Sequence, residues 1–336
     1  MSDVAIVYQS SDAGAPQLTG QAGSLTALLD AVLVNGYGSG AASKAGAGWS
    51  IAYSGANKRA YRNEQASGTG AYLRVDDSGS DFRIARVRAF ESMSTIDAGV
   101  GPSPTTAQSS SGRVWVKSES ADAVARIWTA VATRRAVYLF TSPMAVTDVG
   151  YERVALTPHF AGDIASHAEG DQSRFLLIDN PYSGFTAATY TGFTAPAAHW
   201  ADPAVMPGTP VGHLLRPYTQ QQGSTPAAVA RCGSGAAPNT FALGGSGAAF
   251  PDPVSGGLMF DRALVIEAVG VVRGHLPGVF IPLHTRPFAE GDVITDLAGL
   301  GGAKVLAKVA YAAVGSRPIG NSGYFGQLLF DLSNPW

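Results

Sequence analysis

Few side chains in this sequence are spaced for chemistry. Asp76 and Asp77 stand together in Val75-Asp76-Asp77-Ser78-Gly79, with Glu91 and Asp97 downstream. A pair of carboxylates is the equipment of metal binding or glycoside hydrolysis. Neighbouring residues on a strand point to opposite faces, however. Asp-Asp-Ser-Gly is also turn chemistry, in which Asp accepts backbone N–H bonds and Gly takes positive φ, and a turn is the expectation here. His167-Ala168-Glu169 matches half of a zinc-deaminase site. The other half needs Pro-Cys-x-x-Cys, and the chain holds a single cysteine, Cys232. Its 6 histidines (His159, His167, His199, His213, His275, His284) never fall at His-x-x-x-His spacing. No metal site and no cofactor are expected.

Nucleophilic and nucleotide motifs fare no better. There is no Gly-x-Ser-x-Gly elbow and no Walker A loop. Gly36-Tyr37-Gly38-Ser39-Gly40-Ala41 approximates a dinucleotide fingerprint, but it follows a helical pattern, so a phosphate would meet no helix N-terminus. The expectation is a non-enzymatic protein. An alternative reading takes Trp49, Tyr53 and Trp200 as sugar platforms and Asp76, Asp77 and Glu91 as acids. It describes a carbohydrate-binding adhesin or depolymerase acting on host surface glycans.

Composition narrows the classes. Lys+Arg is 23 and Asp+Glu is 25, for a net charge of −2, and charged residues make up 14% of 336. A binder of nucleic acid through bulk charge needs a basic field, so none is expected. The cations are 18 Arg and 5 Lys, a bias that suits buried or interfacial pairing, although codon usage in a GC-rich genome gives the same bias. One cysteine excludes a disulfide framework. Met1–Ala5 lacks a charged and then apolar leader, and no run of about 18 apolar residues exists. Synthesis in a cytoplasm and no membrane partner are the expectations. The nearest apolar run, Ala263 to Val272, is interrupted by Glu267 and then followed by Arg273.

The elements that would position these residues are mostly strands. Leu25, Leu28, Leu29, Val32 and Leu33 recur at helical spacing and predict a helix over 22–35, closed by Gly36 at C′. Short β patterns follow between Gly, Ser and Pro turns: 71–75, 83–90, 113–117, 125–132, 136–140, 174–178, 213–218, 258–260, 264–272, 278–283, 305–312 and 326–330. Residues 125–140 read as a hairpin turning at Thr133-Arg134-Arg135. The fold class expected is mainly β: sandwich- or barrel-like sheets of short strands with one N-terminal amphipathic helix and long Gly/Pro-rich loops. The chain divides into 1–179 (helix plus β), a Pro/Gly-rich loop segment 180–257, and a C-terminal β segment 258–336 that completes the same fold. Residues 180–257 carry 10 prolines from Pro181 to Pro253, which disfavour central strands there. Residues 100–112 read as a second surface loop. Trp336 puts a large ring where fraying is expected, so it is expected to dock on its own core or on a neighbour.

Several segments, in order, resemble a family of tailed-bacteriophage virion structural proteins. They are Val7–Gly38, Ala47–Arg62, Ala71–Gly79, Ala85–Ser94, Gly101–Thr105, Leu276–Pro287 and Phe330–Trp336. Together they span most of 4–180 and 260–336, and the N-terminal segment is the most specific. The resemblance implies an assembly component of the virion, with the tail or tail tip ahead of capsid decoration. Its partners would be copies of itself and other virion proteins, with a host glycan as the alternative. No catalytic residue carries over. The interaction residues expected are Leu25, Leu28, Leu29, Val32 and Leu33 on the helix, Trp200 in the Pro-rich segment, and Trp336.

Overall fold

The structure, a computed structural model, describes residues 3–145, 157–178, 212–230, 251–267, 270–284, 288–295, 302–311 and 325–336. The N-terminal region holds β1 (Ile6–Gln9), α1 (Ser24–Leu29), β2 (Ser50–Gly55), β3 (Lys58–Arg62), β4 (Tyr72–Asp76), β5 (Ile84–Phe90), β6 (Ser92–Thr95), β7 (Ala98–Val100) and β8 (Arg113–Val116). Next come β9 (Arg126–Ala132), β10 (Ala136–Ala145), β11 (Thr157–Asp163), β12 (Ala165–Ser166), β13 (Phe175–Ile178), β14 (Gly212–Leu214) and β15 (Thr225–Ala230). The chain ends in β16 (Phe260–Glu267), β17 (Val272–Pro282), β18 (Val293–Ile294), β19 (Val305–Tyr311) and β20 (Phe325–Asp331).

The protein is mainly β. One antiparallel sheet of 13 strands runs β1-β9-β10-β11-β13-β14-β15-β16-β17-β20-β19-β18, with β12 paired to β17 off that path. The 258–336 segment therefore extends the sheet begun by β1 and β9. A second sheet of 5 strands runs β2-β3-β4-β5-β8, and β6 pairs with β7. Among the described residues no sheet closes into a barrel, which corrects the barrel form of the expectation. At the β1 edge, side chains stand in for a strand partner: Lys44 Nζ donates to Val7 O at 2.8 Å, and the Gln9 N–H donates to Asp12 Oδ2 at 2.8 Å.

The central strands are buried on both faces, which is why they read as continuous apolar runs. On β10, Tyr138 and Phe140 enter a cluster with Phe160, Ile178, Val279 and Phe330, so the long sheet curls until strands from its two halves share one interior. Tyr138 anchors this interior: its ring centroid lies 4.7 Å from Phe160 and 4.8 Å from Phe330, and its hydroxyl donates to Pro277 O at 2.8 Å. Val137 and Leu139, on the opposite face, join a second cluster with α1 and with Tyr61, Leu73, Val87 and Trp115 of the five-stranded sheet. Truncating one such side chain to Ala costs about 2–5 kcal/mol.

The helix expected over 22–35 is α1 continued without a break by a π-helical segment, Asp30–Asn35. It stops at Gly36, whose φ of 73° is open to glycine. A Cβ there would stand 2.2 Å from Lys44 O. The 125–140 hairpin forms, with Thr133 N–H donating to Ala136 O at 2.8 Å across the turn. Two expectations need correction. The run 264–272 is not one strand: β16 ends at Glu267, Gly270 at φ 80° turns the chain, and β17 begins at Val272. Nor is 180–257 loop throughout, because β14 and β15 lie within it as interior strands. Pro226 stands opposite His213 in the β14–β15 ladder, and among the described residues the β15–β16 ladder runs from Ala227↔Glu267.

Candidate functional site

The two adjacent acids separate as alternation requires. Asp76 accepts from Ser78 N–H at 3.1 Å and lies 3.0 Å from Arg74 and 3.3 Å from Lys58. Its carboxyl is held below the usual carboxylate range: burial opposes this, and the Ser78, Lys58 and Arg74 contacts outweigh it. Asp77 turns inward and forms a buried ion pair with Lys117. Its other oxygen accepts the Leu25 N–H at 2.9 Å and caps α1, whose own N-cap, Gly23, has no side chain. Burial raises the Asp77 carboxyl, and the Lys117 charge pulls the other way. Removing one partner from such a pair costs about 3–5 kcal/mol, because it strands a buried charge.

A larger cluster lies where β12, the β14–β15 turn and the β16–β17 hairpin meet. The Arg273 guanidinium forks Asp171, with Nε to Oδ2 and Nη2 to Oδ1 both at 2.7 Å, and reaches Glu267 Oε1 at 2.5 Å. All three side chains are buried. Ser166 Oγ (2.8 Å) and Ser173 N–H (3.1 Å) also donate to Asp171, and Tyr218 N–H donates to Glu267 (3.2 Å). Burial alone would raise the Asp171 carboxyl, but the bonds from Arg273 and Ser166 hold it low. Glu91, another candidate acid, is forked by Arg216 at 2.6 and 2.5 Å. Asp163 on β11 accepts from Thr69 N–H (2.8 Å), Thr69 Oγ1 (2.6 Å) and Asn63 Nδ2 (2.9 Å), joining the β3–β4 connection to the long sheet. Burial raises its carboxyl despite these donors.

The histidines stay dispersed. His159 is wholly buried, stacked on Trp115 at 5.2 Å, and burial pushes it down to about 3. His213 is pushed down to about 4 by burial and by the Arg113 charge. His167 and His275 approach to 5.7 Å between ring centroids. Among the described residues no three His, Cys, Asp or Glu side chains gather as a metal would require. His199 and Cys232 lie outside the described residues.

Of the expected interaction residues, Leu25, Leu28, Leu29, Val32 and Leu33 lie together in the core between the helix and both sheets. Trp336 packs against this chain's own interior: its ring lies 5.5 Å from Tyr138 and 6.3 Å from Phe330, and its indole N–H donates to Asp331 O at 2.8 Å. Trp200 lies outside the described residues. Trp49 is buried, with its indole N–H bonded to Thr133 O at 2.9 Å, and Tyr53 donates to Met93 O at 2.9 Å. Sequence reasoning missed the roles of Lys117, Asp163, Asp171, Glu267 and Arg273. Their signal is a charge set within or against an apolar strand, as in Val114-Trp115-Val116-Lys117. Among the described residues no helix is long and apolar enough to cross a membrane. Neither a scan of protein-family models nor a search of curated proteins finds a match to this chain.

Proposed function

We propose that this chain is a non-enzymatic structural component of a tailed-bacteriophage virion, located in the tail or tail tip in preference to a capsid-decoration site. It assembles with copies of itself and with other virion proteins. The stacked five- and thirteen-stranded sheets serve as a sandwich-like block. The observation that carries this reading is a pair of open strand edges. β7 is exposed along its length and, among the described residues, pairs only with β6, and its Val100 is 63% exposed. β18 pairs only with β19 among the described residues, and its Val293 is 51% exposed. An open edge with an apolar side chain is a template for a strand from a neighbour. The in-order resemblance of the segments from Val7 to Trp336 supplies the class of assembly. Two further observations favour it over a glycan-acting role. The candidate acids Asp76, Asp77 and Glu91 are each engaged by cations of the same chain, and the ring of Trp49 is buried.

Mass spectrometry of purified particles, with sedimentation of the isolated chain, tests the proposal. The expected result is a stoichiometric particle protein whose isolated chain self-associates. Absence from particles, together with sugar release from host polysaccharide, would replace it with the glycan reading.

A further inference from the structure

The outer face of the five-stranded sheet gathers more positive charge than it neutralises. Strand register sets Arg74 directly opposite Arg88 and Asp76 opposite Arg86. Arg86 and Arg88 are two residues apart on one strand, so they share a face with their Cβ atoms about 7 Å apart. Lys58 and Arg62 occupy the same face of β3. The nearby carboxylates are already engaged. Asp76 and Asp97 are shared between Lys58 and Arg74, and Asp81 is paired with Arg83 at 2.6 Å.

Arg86 and Arg88 form no ion pair among the described residues. The Arg86 charge acts on Asp81 without contact, and Arg83 already holds that carboxylate. Arg86 makes no hydrogen bond there. Arg88 donates through Nη2 to the carbonyls of Ser109 and Ser110, while its Nε is buried with no acceptor. Like charges directly opposite each other on a sheet destabilise it, and a guanidinium cannot escape by losing its proton. Burial and the Arg74 charge both disfavour the charged form of Arg88. Among the described residues, Arg86 therefore holds forked donors with no partner and Arg88 no countercharge, beside the serine-rich connection 109–111.

We propose that Arg86 and Arg88, with Arg74 beside them, form a binding site for a tetrahedral dianion, a phosphate or sulfate group, free or esterified. The forked guanidinium matches such an oxyanion by paired N–H···O bonds. The dianion would answer the idle donors of Arg86 and offset the repulsion between Arg74 and Arg88. This site is independent of the virion reading and would stand if that reading fell.

Calorimetric titration of the full chain with inorganic phosphate and with sulfate, at ionic strength matched by chloride, tests it, with thermal unfolding in the same buffers. The expected result is saturable binding of one anion per chain and a higher melting temperature with either anion. Arg86→Gln, which removes no internal bond, should weaken binding roughly 10-fold or more. Arg262→Gln, on the other sheet, should leave it unchanged. A linear polyphosphate forms a second arm. Tighter binding than inorganic phosphate, lost in Arg86→Gln, assigns the site to an esterified or polymeric anion, whereas equal affinity assigns it to the free ion. The proposal is overturned if neither inorganic anion binds, if polyphosphate alone binds, or if Arg86→Gln binds as well as the parent chain.

Discussion

Replacing Arg273 with leucine removes the one cation that, among the described residues, holds Asp171 and Glu267 in the interior. The native guanidinium makes two bonds of 2.7 Å to Asp171 and one of 2.5 Å to Glu267, and none of the three side chains is more than 2% exposed. Breaking a buried pair in this way costs about 3–5 kcal/mol, a large share of the roughly 5–15 kcal/mol that stabilises a domain. The variant should also respond to pH with the opposite sign to the native chain. Asp171 is natively held below the ordinary carboxylate range, so its contribution is present above a pH of about 4 and is lost as pH falls through its lowered value. In the variant burial is left unopposed by Arg273 and raises the Asp171 carboxyl, and each unit of pH below that raised value returns about 1.4 kcal/mol. Urea unfolding followed by tryptophan fluorescence at pH 7 and pH 5 measures both effects. The deficit of Arg273→Leu should be about 3–5 kcal/mol at pH 7 and should narrow by about 2–3 kcal/mol at pH 5. A deficit under about 1 kcal/mol would show that the cluster is not a buried charge lock, and a deficit that ignores pH would assign the loss to packing alone.

Three further outcomes follow from the same geometry. His159 is held neutral down to about 3, so the unfolded chain takes up its proton first and the native state loses about 2 kcal/mol between pH 7 and pH 5 from this group. His159→Phe should flatten the pH–stability curve by that amount, and an unchanged slope would sink the assignment. Lys117→Met should cost about 3–5 kcal/mol by stranding Asp77. Adding Asp77→Leu should recover most of this, leaving about 1 kcal/mol for the lost helix cap, and chemical unfolding of the single and double variants separates the two terms. Gly278 has a φ of 65°, and a Cβ there would fall 1.9 Å from the Trp336 ring. Gly278→Ala should destabilise by at least about 1–2 kcal/mol from backbone strain alone and should shift tryptophan emission to longer wavelength as the indole leaves its site. An unaltered spectrum would mean that Trp336 does not depend on this contact.

Much of the local structure is legible in the sequence where one period dominates. The stripe from Leu25 to Leu33 predicts its helix because the apolar face is narrow and Gly36 closes it. The Thr133-Arg134-Arg135 turn is visible because Arg134 and Arg135 interrupt an otherwise apolar stretch. The break after Glu267 is not visible, because apolar residues continue through it and Gly270 alone marks the turn. β15 is obscured by Pro226, whose missing N–H matters only if a partner strand needs it. Among the described residues no sheet closes, and the β1 edge is met by Lys44 and Asp12 from outside the strand, a contact that sequence patterns do not carry. The buried charges were hidden for a similar reason. Arg273 and Asp171 are 102 residues apart, and only the curl of the long sheet brings them together.

The central claim is that this protein is a building block of a phage particle. The measurement closest to that claim is electron microscopy of intact particles in which the chain carries a dense label. The account predicts label at repeated, symmetry-related positions on the particle, concentrated at the tail or tail tip. Label found only free in the lysate, with particles complete and infectious without the chain, would contradict it.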